Sequence, residues 1–146
     1  MNWKTEAVEK LRRYDTMRRA AQNLPLEMKR LEAEYTALGG GWSGQGTKTR
    51  NVRSREDRMM DNIMARQQLK WSLEQAQRWT ELVDDALSGL SPEERLILQQ
   101  MYILPQTGAL SRLMESLHLE KSSIYRRRDK ALQKFTLNLY GWEESN

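Results

Sequence analysis

The sequence has no cysteine and a single histidine, His118. The first absence excludes disulfides and thiolate nucleophiles, and the two together exclude a zinc finger. A chain free of cysteine fits a reducing compartment, and a cytoplasmic protein is expected. No run approaches the ~18 apolar residues of a membrane-spanning helix. The first residues, MNWKTEAVEKLRR, carry no apolar signal-peptide core. No phosphate loop, metal-ligand cluster or nucleophile–base pairing is present, so no enzyme, no cofactor and no metal site are expected. Proline and phenylalanine are scarce too, at 3 and 1 residues.

The remainder is rich in Leu, Ala, Glu, Lys, Arg and Gln, with 38% hydrophobic and 30% charged residues. That mixture favours helices with long solvated faces. The net charge is +4, and its placement matters more than its size. Residues 39–55 hold 4 bases and no acid, and residues 121–134 hold 6 bases and 1 acid, whereas residues 56–90 hold 7 acids against 4 bases. Positive charge gathered in one loop and one helix is the electrostatic footprint expected for nucleic acid.

Helical periodicity opens at about residue 3. Ala7, Leu11, Tyr14, Met17, Ala21, Leu24, Met28, Leu31, Tyr35 and Leu38 recur three or four apart, which makes a narrow seam of the two-helix kind. Pro25 predicts a kink or break near Asn23–Leu24, with Asn23 as a cap for the second half. Gly39, Gly40 and Gly41 end the helix, and residues 39 to about 56 read as a polar loop. That loop suits either a basic arm that orders on DNA or a bare connector, and Trp42 either a base-stacking residue or one packed back on the protein. A second helix follows from about Asp57 to Ser88. Met60, Ile63, Leu69, Leu73, Ala76, Trp79, Leu82, Val83, Ala86 and Leu90 supply its seam, and Arg66 and Gln67 weaken it midway. Two long helices joined by a loop predict an antiparallel hairpin.

The sharpest punctuation is Gly89–Glu94. Gly89 ends one helix, Ser91 caps the next, Pro92 takes its first position, and Glu94 completes a capping box. The helix from Pro92 to about Ile103 buries Leu96, Ile97 and Met101, and ends at Pro105 and Gly108. A short helix over about 109–116 and a basic helix over about 121–139 follow. Trp142, in the tail, is expected to fold back onto the helices. The fold class predicted is all-α: a long antiparallel helical hairpin over residues 1–89, then a small three-helix helix-turn-helix module over residues 90–146.

In that module Leu113, Leu117, Leu119, Ile124 and Leu132 form the expected core. Lys121, Ser122, Ser123, Tyr125 and Arg126 are left on the outward, early part of the last helix, where they suit phosphate and base-edge contacts. Arg127, Arg128, Lys130 and Lys134 read as phosphate contacts or solvated charge. His118 reads as a turn residue at positive φ. Glu81, Asp84, Asp85, Glu93 and Glu94 read as a solvated acidic face, with contact to a basic partner as the alternative. Trp71, Trp79, Met59, Met60 and Met64 exceed what one seam needs, which points to packing on the module or between two chains, as in a homodimer.

The stretches LSPEERLILQQMY and LSRLMESLHLEKSSIYRRRDKALQKF resemble the C-terminal promoter-reading region of bacterial sigma factors. They also resemble the related ArpU/RinA-type phage transcriptional regulators. The likeness covers residues 90–136. It implies base reading from the start of the second helix, which falls here on Lys121, Ser122, Ser123, Tyr125 and Arg126. The chain departs from the pattern at Met114 (usually small), His118 (usually glycine) and Glu120 (usually serine or threonine).

The function expected is a sequence-specific DNA-binding transcriptional regulator of phage or prophage origin, acting in the bacterial cytoplasm without catalytic activity. Its DNA-binding residues would be Lys121, Ser122, Ser123, Tyr125, Arg126, Arg127 and Lys130. Expected partners are double-stranded DNA, RNA polymerase and a second copy, with no membrane. The competing expectation is a helical interaction or packaging protein whose basic helix binds phosphate without reading sequence.

Overall fold

A computed structural model describes residues 2–40 and 49–141. All its regular structure is helical: α1 (Trp3–Gly40), α2 (Thr49–Ser88), α3 (Pro92–Leu98), α4 (Ala109–Leu117) and α5 (Lys121–Tyr140). The all-α expectation holds, with α1 and α2 packed together as the hairpin. The expectations for Trp42 and Trp142 lie outside the described residues, as do residues 41–48 of the expected loop. None of the helices is long and apolar enough to cross a membrane, among the described residues.

Two expectations about the hairpin are corrected. The helix does not break at Pro25, which lies inside a continuous α1. An internal proline costs about 3 kcal/mol. The seam continues on both sides, and each well-buried apolar side chain returns ~1.5–3 kcal/mol, so the unbroken helix prevails. The second helix also begins at Thr49 rather than Asp57; the run from Thr49 to Glu56 contains no glycine or proline to break it.

The α1 seam is the expected one: Ala7 and Leu11 are buried, and Tyr14, Met17, Ala21, Leu24, Met28, Leu31, Tyr35 and Leu38 are half-buried. The α2 seam is shifted. Met60 and Leu82 are exposed, at 57% and 42%, while Met59, Asn62, Arg66, Leu69, Leu73, Ala76, Thr80, Val83, Leu87 and Leu90 turn inward. Those positions alternate three and four apart without interruption, as a two-helix seam requires.

The chain divides into two compact units, residues 19–77 and residues 1–18 with 78–146. The division does not fall near residue 90, because both ends of the hairpin contribute side chains to the core of the C-terminal helices.

In the unit of residues 19–77, a polar group occupies the seam. Asn62, 6% exposed, donates from Nδ2 to the Leu31 carbonyl at 2.8 Å and accepts from Arg66 Nε at 2.9 Å. The Arg66 guanidinium lies over the Tyr35 ring at 4.9 Å. A buried amide that finds its partners in only one alignment fixes the register of two helices.

In the other unit two apolar cores lie side by side. The first joins Ala7 and Leu11 of α1, Val83 and Ala86 of α2, Leu90, Leu98 of α3, and Ala131, Leu132 and Phe135 of α5. The second joins Ile97, Leu113 and Ile124, with Leu117 and Leu119 against it. Leu132, expected in the helix-turn-helix core, belongs to the first, because it lies eight residues and two turns beyond Ile124. The helix expected to reach Ile103 is α-helical only to Leu98 and continues as a π turn, Gln99–Ile103. The π turn sends Met101 toward the second core and Tyr102 and Ile103 toward the first.

The base of the hairpin is closed by polar contacts. Tyr14 donates to Asp84 Oδ1 at 2.5 Å, and the Trp79 indole donates to the Lys10 carbonyl at 3.3 Å. Burial, then the Asp84 hydrogen bond, push the Tyr14 hydroxyl up to about 12. Asn138 of α5 donates to the Ala86 carbonyl at 2.9 Å. This contact needs glycine at position 89, since a Cβ there would stand 2.6 Å from Asn138 Nδ2.

Two outcomes are expected. Asn62→Ala leaves the Arg66 guanidinium and the Leu31 carbonyl without their partner and destabilises residues 19–77 by about 1–3 kcal/mol; faster amide exchange across both hairpin arms is the readout, and unchanged exchange refutes the role. Tyr14 has a folded pKa above its unfolded value of 10.0, so its stabilisation is complete below pH 10 and lost as pH rises toward 12. Tyr14→Phe flattens that part of the stability–pH curve; a slope equal to wild type removes Tyr14 as the cause.

Candidate nucleic-acid interface

The last two helices meet through a three-residue turn, His118–Glu120. His118 ends α4 in the left-handed region, φ 55° and ψ 45°, so it fills the position where glycine is usual. The backbone N–H groups of His118 and Leu119 both return to the Met114 carbonyl. Leu119 then packs onto the Ile97–Leu113–Ile124 core, which is the hydrophobic contact that accompanies such a helix end. Met114, large where the resembled family has a small residue, is half-buried against the same core. Glu120 stands at the N-cap of α5 in extended conformation and makes no side-chain capping bond.

The start of α3 provides the third support. Ser91 Oγ accepts from the Glu94 amide at 3.2 Å, and Glu94 Oε1 accepts from the Ser91 amide at 3.0 Å. The expected capping box is therefore present, with Pro92 in the first turn.

Ile124, Ala131, Leu132, Phe135 and Thr136 are the buried residues of α5. At about 100° per residue, Ser122, Arg126, Lys130 and Gln133 fall on the opposite side, and all four are exposed. Arg126 Nη2 donates to Ser123 Oγ at 3.3 Å; neither Arg126 nor Lys130 has a carboxylate partner among the described residues. Ser123, Arg126, Arg127, Asp129 and Lys130 line an open cleft of about 360 Å³. Lys121 and Tyr125 stand beside this face, with Lys121 Nζ 5.8 Å from the Tyr125 ring centre.

The three consecutive arginines separate. Arg126 is on the free face. Arg127 pairs with Glu93 of α3. Arg128 is half-buried, bonded to Asp129 at 3.0 Å and stacked 4.7 Å from the Tyr125 ring centre. Lys134 pairs with Glu94 at 3.1 Å. The expected site residues thus share one helix, but Arg127 differs from the rest because a carboxylate already opposes it.

The reading of Glu93 and Glu94 as solvated charge is corrected by these pairs, whereas Asp84 stays exposed, as expected, while it accepts from Tyr14. Partners 34 and 40 residues apart leave no trace in local spacing. The Tyr125–Arg128 stack, in contrast, is an i,i+3 pair and could have been read from the sequence. Burial alone would raise the Glu94 carboxyl, but the Ser91 amide and Lys134 outweigh it and hold the carboxyl below its usual range. No group of three or more potential metal ligands occurs among the described residues.

In comparisons with known proteins, no family model, curated protein or solved structure matches the chain.

The two acidic residues should differ in weight. Glu93→Ala removes one exposed ion pair and costs less than ~1 kcal/mol. Glu94→Ala removes an ion pair and half of a capping box, and costs about 1–2 kcal/mol. The Glu94 contribution is present above the ordinary carboxylate range and lost as pH falls below it. Urea unfolding at neutral and acidic pH measures both; equal losses for the two variants refute the ranking.

Proposed function

We propose that the chain is a sequence-specific DNA-binding transcriptional regulator that inserts the first turns of α5 into the major groove. One observation carries this reading: an exposed face of Ser122, Arg126 and Lys130, with no carboxylate partner among the described residues, on a helix that follows a three-residue turn. Arg126 is suited to pair bidentately with O6 and N7 of guanine, the commonest specific contact in the major groove. Ser122 and Ser123 suit base edges or phosphates, and Lys121, Tyr125 and Lys130 the flanking backbone. Arg127 joins them only by exchanging Glu93 for a phosphate.

The resemblance to sigma-factor promoter-reading regions and ArpU/RinA-type regulators supports a phage or prophage origin, a bacterial cytoplasmic setting and contact with RNA polymerase. No catalytic step belongs to this reading. The exposed Met60, Met64 and Trp71 of α2 support a homodimer formed through the hairpin.

Selection of duplexes from a random pool tests the reading. A consensus site is expected, and Arg126→Ala should weaken it by about 1–3 kcal/mol while relaxing preference at one base pair. A pool with no consensus, bound equally at every salt concentration, sinks this reading in favour of a packaging or interaction protein that holds phosphate without reading sequence.

A further inference from the structure

The two flanks of α5 are electrically unequal. On the flank facing α3, Arg127 and Lys134 are each opposed by a glutamate. The other flank opens on a cleft of about 410 Å³ whose lining includes Lys4, Thr5, Arg12, Tyr102, Arg128 and Asp129. Three cations stand there against one carboxylate. Asp129 is engaged with Arg128, while Lys4 and Arg12 have no carboxylate partner among the described residues. Lys4 and Arg12 come from α1, far in sequence from the helix-turn-helix.

Two of the three cations of the cleft rest on aromatic rings. Arg12 lies over the Tyr102 ring, 5.9 Å from its centre, and Arg128 over the Tyr125 ring. Guanidinium groups already held against aromatic faces lose little freedom on binding an anion. Burial raises the Tyr102 hydroxyl, and Arg128 and Arg12 only partly counter it, so the O–H remains a donor. Arginine, lysine and hydroxyl donors converging on one opening make a phosphate-class site.

A helix with its side chains is about 10–12 Å across, and the major groove is about 12 Å wide. A helix lying in the groove therefore has a phosphate strand near each flank. We propose that the Lys4–Arg12–Arg128 cleft seats a backbone phosphate of the DNA that α5 enters, so that the first turns of α1 form part of the interface. This rests on the DNA-binding reading above. The strand beside α3 meets paired charge and is held less tightly, and the α1 flank adds about one phosphate contact to the salt dependence.

The test uses the full chain and a salt series of fluorescence anisotropy titrations on duplex DNA. Lys4→Ala with Arg12→Ala should reduce the slope of log affinity against log salt by about 1, at ~0.9 for each phosphate no longer neutralised, and leave base preference unchanged. Lys4→Arg with Arg12→Lys should restore the slope. Lys29→Ala with Lys70→Ala, the same charge change on the hairpin, should leave it at the wild-type value. A wild-type slope in the first variant, an equal drop in the hairpin control, or a change of base preference overturns the cleft. Those results leave the function reading standing. A wild type that binds all duplexes alike fails the sequence-specific reading instead, and the slope still decides the cleft; a wild type that binds no duplex refutes both. Lys4 and Arg12 are exposed, so folding is expected to survive, and circular dichroism checks it.

Discussion

The structure depends on the buried stripe of α5. Ile124, near its start, completes a core with Ile97 and Leu113; Ala131, Leu132 and Phe135, two to three turns later, complete another with α1, α2 and α3. One rigid rod thus belongs to two apolar clusters, and its rotation about its own axis is fixed twice. Rotation determines which side chains face outward. The chain's single phenylalanine, fully buried, holds the aim of Arg126 from more than two turns away, without touching it.

The polar contacts refine that placement rather than create it. The ion pairs Arg127–Glu93 and Lys134–Glu94 are partly exposed and of the kind worth only a fraction of a kilocalorie to about 1 kcal/mol. Their larger effect is on the field. They remove positive charge from one side of the basic helix and leave it on the other, a division invisible in the net charge of residues 121–134. The stack of Arg128 on Tyr125 acts similarly, turning a guanidinium that sequence would spend on solvent toward the cleft beside α1.

What was legible in the sequence followed the range of the interactions. The α1 seam, the Ser91–Glu94 capping box and the turn conformation of His118 each depend on residues within a few positions, and all were readable. Pro25 misled because proline's cost is local while the seam that overrides it spans the helix. Met60 and Leu82 are apolar but lie off the seam; Asn62 and Arg66 keep the three-four alternation, and Asn62 bonds the Leu31 carbonyl across the hairpin. The residue-90 boundary misled for a related reason: Gly89 punctuates the chain, but Ala7, Leu11, Val83 and Ala86 share a core with residues beyond it. The outward residues of α5 were legible from a 100° helical wheel, whereas the carboxylate opposite Arg127 was not, since nothing local couples position 93 to position 127.

The contact between Asn138 and the Ala86 carbonyl bears on how the chain is made. It closes the end of α2 with an amide synthesised 52 residues later. A nascent chain on the ribosome folds from its N-terminus as it emerges, so the hairpin can zip along its seam while its base still lacks Ala131, Leu132, Phe135 and Asn138. During that interval the apolar side chains of Leu11 and Val83 face water. The last helix arrives as the stopper of a hairpin already zipped, and the exposed face of Ser122, Arg126 and Lys130 is placed only when that base is shut.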